Sequence, residues 1–391
     1  MRDSMDIEEN SLGELNKNTS LSQKLTAIHE ALIKQLPVVD RVSVAVYDPK
    51  TDLLKTFIHS SGDADPLSNY QARLSDVKSL QEVVSSGRAR VVNDLEAHYR
   101  GPSEHSRKIT TQGYGSSYTL PMYLNGVFFG FVFFNSYKKN AFKADQLTQL
   151  ELYGHLISLT VINELTIIHT MLAAVRTARD MTAHRDVETG AHLDRMARYA
   201  RFIAKELAPK YGFSDEYIEH LFLFAPLHDI GKISIPDSIL HKQGPLTPEE
   251  YEVMKQHASK GREIVDAMLA EFGLNSLPYV EVLRNLTEFH HEKMDASGYP
   301  LGLQGEDIPI EARIIAVADM FDALTSRRPY KHAWSNQEAF SLLRTLAGTK
   351  LDADCIHALI NQAAKVEQIQ ARFHSDDTVP LPAGTRDLSD F

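Results

Sequence analysis

One long helical pattern divides this 391-residue chain into two regions of different character. Within residues 145–182, apolar side chains recur every three or four positions, at Ile157, Val161, Leu165, Ile168, Leu172 and Val175. This spacing predicts a long connecting helix, which either pairs with a second copy as a coiled coil or packs on its own domain. Strand patterns come before it and helical patterns after it, so we expect a multidomain protein.

Residues 18–144 predict a small α/β domain. A helical pattern at 21–36 is followed by alternating valines at 42–46, as in a half-buried strand. The turn residues 48–52 then lead into a partner strand. Near the end of this region, Asn125-Gly126 predicts a type I′ turn in a closing hairpin.

This order of helix, strands, intervening helix, strands and long helix resembles a GAF domain, a small α/β sensor fold. The resemblance implies an N-terminal GAF-like sensor domain whose ligand the sequence leaves unknown. Tyr114, Tyr118 and Phe129 are candidates for lining a pocket, although core packing is the commoner role of such side chains. The polar segments 1–17 and 373–391 predict disordered tails.

Composition narrows the function classes. The formal net charge of −11 argues against a general binder of nucleic-acid polymers, which needs a surplus of Lys and Arg. The single cysteine, Cys355, excludes a disulfide within the chain and suits a reducing compartment. With no apolar leader and no run of about 18 apolar residues, we expect a cytoplasmic protein without a membrane span.

Histidines and acids in the C-terminal half predict a metal site. Each such residue alone is more often a packed or surface side chain, but adjacent His-Asp and His-His pairs beside further acids are unusual. Imidazole and carboxylate ligands suit iron and manganese, and the absence of thiolates argues against structural zinc. The candidate ligands are Glu188, His192, His228, Asp229, His257, His290, His291, Asp319 and Asp322.

Four segments occur in a fixed order: HDIGKISIP, LTPEEYEVMKQH, HHEKMDASGYPLGL and IPIEARIIAVADMFDALTSRRPY. Together they resemble the HD-GYP family, a subgroup of the HD metal-dependent phosphohydrolases. The resemblance implies an all-α HD-GYP phosphodiesterase domain at 183–372. Its expected reaction is hydrolysis of cyclic di-GMP, a bacterial second messenger, to linear pGpG or GMP. Some members instead act on 3′,3′-cyclic GMP-AMP.

The same resemblance implies how the ligands divide. One metal ion would be held by His192, His228, Asp229 and Asp319. Asp229 would bridge to a second ion, held also by His257, His290 and His291. Glu188 and Asp322 match family members that have a third ion, so two or three ions, iron or manganese, are expected. The alternative for Glu188 is a surface ion pair with Arg185 or Arg195.

Further family positions imply substrate contacts. Lys232 would contact the scissile phosphate and help to protonate the leaving oxygen, acting with Asp229 in catalysis. Arg328 and Lys331 would hold the substrate phosphates, and Tyr299 would orient the Gly-Tyr-Pro loop or touch the substrate. The alternatives are a surface lysine at a helix end and a solvated basic loop. Ala296 stands where the family usually has glycine, and its methyl group would restrict the loop if φ is positive there.

Three functions are compatible with these residues. The first is an active cyclic-dinucleotide phosphodiesterase regulated by the N-terminal domain, in a homodimer joined through the connecting helix. The second is a catalytically silent receptor that binds the dinucleotide. The third is a broader HD nucleotidase acting on mononucleotides. The complete ligand set favours activity over a silent receptor. The His257, His290 and His291 positions and the Gly-Tyr-Pro loop count against a mononucleotidase.

Overall fold

The structure is a computed structural model, and it describes residues 12–62, 70–98, 111–181, 190–242, 244–275, 278–326 and 333–373. The chain divides between His169 and Thr170 into two compact units. The first contains a β-sheet with flanking helices, and the second is helical. The expected multidomain layout, with an α/β region followed by an all-α region, is confirmed.

The N-terminal unit contains a six-stranded sheet in strand order β3-β2-β1-β6-β5-β4, with every neighbouring pair antiparallel. The strands are β1 Arg41–Asp48, β2 Leu53–Ser61, β3 Gln71–Arg73, β4 Arg90–Val92, β5 Ser116–Leu124 and β6 Val127–Ser136. Both expected hairpins are present, β1–β2 and β5–β6. Asn125 has a φ of 50° and Gly126 a φ of 83°, as a type I′ turn requires. Strand β3 was not expected.

Helices cover both faces of this sheet. They are α1 Leu21–Gln35, α2 Lys78–Ser86, α3 Leu95–His98 and α4 Ala144–Met181. On one face α4 packs closely, since Gly154 lies against Leu120 and Phe134. The opposite face carries a buried cluster of side chains from the sheet, from α2 and from the segment before it: Leu54, Leu74, Val77, Leu80, Val83 and Phe131. The three candidate pocket residues are buried, and Tyr114 and Tyr118 pack on other aromatic rings.

The apolar stripe of α4 resolves the choice between the two packing alternatives. Ile157, Val161, Leu165 and Ile168 are buried within the single chain. The stripe therefore packs on the domain itself, and a coiled coil built on the same residues is ruled out. A different face of α4 is open, where Leu152 and Leu159, seven residues apart, are each 68% exposed.

The burial of α4 also bears on the membrane. Its residues 144–174 are long and apolar enough to cross a bilayer by length and composition, which corrects the expectation that no segment reaches that threshold. Half of the most apolar stretch is buried inside the structure, as in the core helix of a folded domain. The packing of α4 on the sheet therefore accounts for its apolar composition.

The C-terminal unit consists of packed helices, and a long loop between Phe289 and Ile310 contains the Gly-Tyr-Pro segment. The helices are α5 Gly190–Tyr211, α6 Asp215–Phe224, α7 Asp237–Leu240, α8 Pro248–Glu271, α9 Val280–Phe289, α10 Ile310–Thr325, α11 Asn336–Leu346, α12 Ala353–Ile360 and α13 Ala363–Arg372. Helix α10 packs against α5, α9, α11 and α12. The Phe321 ring, fully buried, contacts Tyr199 of α5 edge to face and stacks on Phe340 of α11. Cys355 is free and buried, as expected.

Local sequence explains where α8 begins. Thr247 accepts a hydrogen bond from the Glu250 backbone N–H, and the Glu250 side chain accepts one from the Thr247 N–H. Pro248 occupies the first helical turn, where no N–H is needed. This capping box fixes the start of the helix that carries His257.

The chain termini are structured further than expected. A 3-10 helix spans Gly13–Asn16, inside the expected N-terminal tail. At the other end, the Phe373 carbonyl accepts a hydrogen bond from Arg195 at 2.7 Å, and the Arg198 guanidinium lies 4.0 Å from the centre of its ring. Residues 1–11 and 374–391 lie outside the described residues.

Candidate metal centre

The His228-Asp229 pair lies between two short 3-10 helices, Ala225–Leu227 and Ile230–Ser234. The second is pressed directly onto α8. A Cβ atom on Gly231 would lie 1.8 Å from the His257 carbonyl oxygen and 2.5 Å from the Gly261 nitrogen. Only glycine allows this approach, which brings Asp229 to within reach of His257.

Two groups of ligand atoms result. The first, which we call the His192 group, consists of His192 on α5, His228 and Asp319 on α10. The second, the His257 group, consists of Asp229, His257 on α8, and His290 and His291 just after α9. Within each group the ligand atoms lie within 4.8 Å of one another. Five segments far apart in sequence thus supply seven of the predicted ligands.

Asp229 connects the two groups through its two carboxylate oxygens. Its Oδ1 lies 3.1 Å from His257 Nε2 and 3.5 Å from His290 Nε2. Its Oδ2 lies 3.2 Å from His228 Nε2, in the His192 group, and 2.7 Å from Lys232 Nζ. A carboxylate facing two ligand sets in this way has the geometry of a bridging ligand.

Hydrogen bonds on the far side of each ring decide which nitrogen can bind a metal. His228 Nδ1 lies 3.0 Å from the Ala225 carbonyl, and His257 Nδ1 lies 2.7 Å from the Met254 carbonyl. His290 Nδ1 likewise faces the carbonyls of Leu286 and Thr287. Since a carbonyl only accepts, these Nδ1 atoms carry the proton and each Nε2 keeps a lone pair.

The resulting arrangement fits a cation. Among the described residues, His257 Nε2, His290 Nε2 and Asp229 Oδ1 are buried and have no hydrogen-bond partner. Lone pairs and a negative charge thus converge on one point, which is unfavourable unless a positive ion lies between them. The residues therefore fit a metal ion, and the nitrogen and oxygen ligands suit iron or manganese.

The pKa shifts agree with this. Burial lowers the pKa of His290 and holds the pKa of His291 well below its usual value, with further lowering of His291 by His290. Burial opposes ionisation of Asp229, but the Lys232 ammonium group, followed by the adjacent His228 and His257 rings, outweighs it and holds the pKa of Asp229 well below the usual range. Neutral imidazoles and an ionised carboxylate are the forms that bind metals.

Asp322 lies behind His192 and belongs to neither ligand group. It is fully buried, and His192 Nδ1 donates to its Oδ2 at 2.7 Å. Arg195 donates to both of its oxygens, at 2.7 and 2.8 Å, and the Ser326 hydroxyl donates at 2.9 Å. The carboxylate is thus fully engaged behind His192, outside both ligand groups. Arg195, 127 residues away in sequence, thus binds this carboxylate, and the expected role of Asp322 as a metal ligand stays a prediction.

The loop after His291 contains two further expected residues. The Tyr299 ring stacks on His291, with 4.7 Å between ring centroids and a 28° interplanar angle. Ala296 has a φ of 61°. Because this φ is positive, the methyl group of Ala296 restricts the conformation of the loop, as expected. Glu188, Arg328 and Lys331 lie outside the described residues.

Two supporting residues escaped prediction from the sequence. Arg195 holds Asp322, and the Glu292 carboxylate accepts hydrogen bonds from the backbone of the Gly-Tyr-Pro loop. Glu292 directly follows the His290-His291 pair, and this position in the sequence could have identified it as a supporting residue. Nothing in the sequence marks Arg195, since its partner becomes a neighbour only in the fold.

Comparison with known proteins gives similar sequences for the helical region. The cyclic di-GMP phosphodiesterase response regulator RpfG of Xanthomonas campestris is 43% identical over 197 residues, which are 50% of this chain and 49% of that protein. A cyclic di-GMP phosphodiesterase of Thermotoga maritima is 38% identical, covering 51% of each chain. A 3′3′-cGAMP-specific phosphodiesterase of Vibrio cholerae is 36% identical, covering 54% of this chain and 39% of its own. The chain spans about half the length of the first two relatives.

Solved structures match the N-terminal region. The phycocyanobilin-bound GAF domain of a cyanobacterial phytochrome has a TM-score of 0.31 and 16% identity, covering 40% of this chain and 96% of its own. The GAF domain of an Acinetobacter phosphoenolpyruvate-protein phosphotransferase has a TM-score of 0.31 and 14% identity, covering 39% and 89%.

A family model, the HD domain, matches residues 178–355. This range contains both ligand groups, Asp229 among them, and the Gly-Tyr-Pro loop. The histidines and aspartates of the two ligand groups therefore lie in the part of the chain that matches the HD domain model, which is somewhat less than half of its length.

Proposed function

We propose that this chain hydrolyses a cyclic dinucleotide, with cyclic di-GMP as substrate and linear pGpG or GMP as product. One observation carries the proposal: Asp229 presents one oxygen to each of two adjacent ligand groups. Such a pair of sites suits hydrolysis of a phosphodiester, in which both the attacking and the leaving oxygen need stabilisation. Relatives described as cyclic di-GMP phosphodiesterases, at 43% and 38% identity, support the choice of substrate.

The proposed cofactors are two metal ions, iron or manganese, one in each group. Bound at such a site, they would lower the pKa of a coordinated water to about 7 and neutralise phosphate charge. Arg195 donates hydrogen bonds to both oxygens of Asp322. A third ion is therefore proposed on the basis of Glu188 alone. The alternative for Glu188 is still a surface ion pair.

The chain's own residues have distinct proposed roles. Asp229 fixes the separation of the two groups. Lys232, whose Nζ lies 2.7 Å from Asp229 Oδ2, would donate a hydrogen bond to the scissile phosphate and help to protonate the leaving 3′-oxygen. Tyr299, whose ring stacks on His291, would contact the substrate. Arg328 and Lys331 would hold the phosphates, because guanidinium and ammonium groups bind them well.

A second substrate is supported by a specific observation. The relative at 36% identity is described as specific for 3′3′-cGAMP, and it aligns with 54% of this chain. Both dinucleotides have the same phosphodiester ring and differ in one base. Preference between them therefore depends on base contacts and not on the ligand groups.

The test is metal analysis followed by turnover. Full-length protein is loaded with iron or with manganese, and each form is given cyclic di-GMP and 3′,3′-cyclic GMP-AMP side by side. We expect bound metal and a linear product, with cyclic di-GMP turned over faster. Metal-loaded protein that binds a dinucleotide without forming product would instead be a silent receptor. Hydrolysis of mononucleotides alone would identify a broader nucleotidase.

The N-terminal unit has a proposed regulatory role, and we propose a homodimer formed along α4. Two leucines on one open face of this helix, Leu152 and Leu159, support the dimer because their spacing matches one heptad. The proposed compartment is the cytoplasm. Sedimentation of the full chain as a monomer at micromolar concentration would contradict the dimer.

A further inference from the structure

Glu292, next to the His290-His291 ligands, has an unusual environment for an acid. Its side chain is only 3% exposed, and no cation pairs with it among the residues that the structure describes. A buried carboxylate is costly unless hydrogen bonds replace its hydration. Here the bonds come from the backbone: Oε1 accepts from the N–H of Leu301 at 2.6 Å and of Gly302 at 3.0 Å, and Oε2 accepts from Leu303 at 3.0 Å.

Three successive N–H groups that converge on one anion fix the shape of their turn. The other end of the same loop is fixed by close packing. A Cβ atom on Gly298 would lie 2.4 Å from the Lys293 nitrogen and 2.5 Å from the Glu292 Cα atom. The Tyr299 N–H also faces the His291 carbonyl at 3.4 Å. The loop is therefore held at both ends onto the segment that contains the metal ligands.

His291 is the ligand that needs this support. His257 and His290 are each oriented by an Nδ1–H bond to a carbonyl of their own helix. Among the described residues the His291 ring makes no hydrogen bond, and its neighbours are other rings. Of these, Tyr299 is the one stacked nearly parallel to it, at 28°. The position of Tyr299 thus sets the orientation of His291.

We propose that Glu292 is a positioning residue for the His257 group. Its carboxylate fixes the turn at Leu301–Leu303, which seats Tyr299 on His291 and aims that imidazole at the metal. This inference rests on the proposed function of the site as a metal centre. Glu292 would orient the ligand His291 and would not bind the ion itself.

The test is a double-mutant cycle on the full chain, with Mn²⁺ alone as the probe. The variants are Glu292→Gln, Tyr299→Ala and the two combined, and chelator competition measures Mn²⁺ affinity. Loss of a residue that orients a ligand typically costs about 10–100-fold in metal affinity. We expect such a loss for each single variant and no further loss in the double variant, since Glu292 acts through Tyr299.

Glu306→Gln is the matched control, because it makes the same substitution at an exposed position of the same loop region. We expect its Mn²⁺ affinity to equal that of the wild type. If Glu292→Gln does not fold, Tyr299→Phe keeps the test open: the stacked ring is retained, so affinity should remain near wild type while Tyr299→Ala loses it. Additive losses in the cycle, or unchanged affinity in Glu292→Gln, would overturn the proposal.

Because this experiment contains no nucleotide, it is independent of the turnover assay, and the two measurements together separate the two proposals. A chain that binds Mn²⁺ and shows the non-additive cycle but turns over no cyclic dinucleotide would overturn the proposed function alone. A chain that turns over the dinucleotide but shows additive losses would overturn the role of Glu292 alone.

Discussion

The two ligand groups that meet at Asp229 differ in how one of their histidines is oriented. In the His257 group, His257 and His290 donate their Nδ1 protons to carbonyls three or four residues earlier in the chain. In the His192 group, His228 does the same to the Ala225 carbonyl, but His192 donates to Asp322, which lies 130 residues away in sequence. Local helix geometry therefore orients the first pair, whereas His192 depends on a side chain contributed by the tertiary fold.

This difference predicts where substitutions act. A backbone carbonyl cannot be removed by mutation, so the orientation of His257 and His290 resists side-chain changes. The orientation of His192 passes through Asp322 and then Arg195, both replaceable. His291 is intermediate, because its support is the Tyr299 ring. Three substitutions, taken from the largest expected effect to the smallest, test the contrast.

Asp229→Ala should affect both groups at once, since each group loses one carboxylate oxygen. We expect turnover to fall by about 10³-fold or more, equal to about 4 kcal/mol of transition-state stabilisation. Both metal ions should also be lost, as measured by elemental analysis. Asp307→Ala, at an exposed acid, is the control and should retain activity. Retention of one ion per chain in Asp229→Ala would mean that the groups bind independently, and the bridging role would be withdrawn.

Asp322→Asn should affect the His192 group alone. The amide presents N–H where His192 Nδ1 now donates, so the imidazole favours the tautomer with its proton on Nε2. We expect Mn²⁺ affinity of one site to fall by about 10–100-fold while the other site is unchanged. Chelator competition that resolves two sites measures this.

Ser326→Ala is the matched control for Asp322. It removes a hydrogen bond to the same carboxylate but keeps the bonds from His192 and Arg195. Its affinity should stay close to the wild-type value. Equal losses in both variants would show that general loosening of the network, and not the His192 tautomer, determines affinity.

The contrast between the groups also explains what the sequence could reveal. The ordered motifs located the residues that form the two groups, and Asn125-Gly126 located a hairpin turn, because these signals depend on local sequence. The sequence places Asp322 three residues from Asp319, but it does not show that His192 and Arg195 bind its carboxylate. Only the fold brings Arg195 to its carboxylate.

The connecting helix gives a second example. The spacing from Ile157 to Ile168 is the same whether a helix packs on a partner chain or on its own sheet. The position of the helix in the fold determines which of the two it packs on, and here the stripe is buried within the chain. The sequence could not distinguish the two because both alternatives bury the same side chains.

The smallest effect concerns the loop that supports His291. Ala296 is exposed and has a φ of 61°, a conformation that costs an L-residue about 1 kcal/mol more than glycine. Glycine also makes the unfolded chain more flexible, which offsets part of the gain. We expect Ala296→Gly to raise the free energy of unfolding by about 0.5 kcal/mol, measured by urea denaturation.

Ala267→Gly separates backbone conformation from the loss of a methyl group. Ala267 is an exposed residue inside α8, where glycine should destabilise by about 1 kcal/mol, so the two substitutions should have opposite signs. If Ala296→Gly lowers stability as well, the left-handed backbone is not strained. If it instead changes Mn²⁺ affinity, the loop conformation at Ala296 reaches His291 through Tyr299. The orientation of His291 would then depend on side chains and a loop, as the orientation of His192 does. Within the His257 group, only His257 and His290 would still be oriented by backbone carbonyls alone.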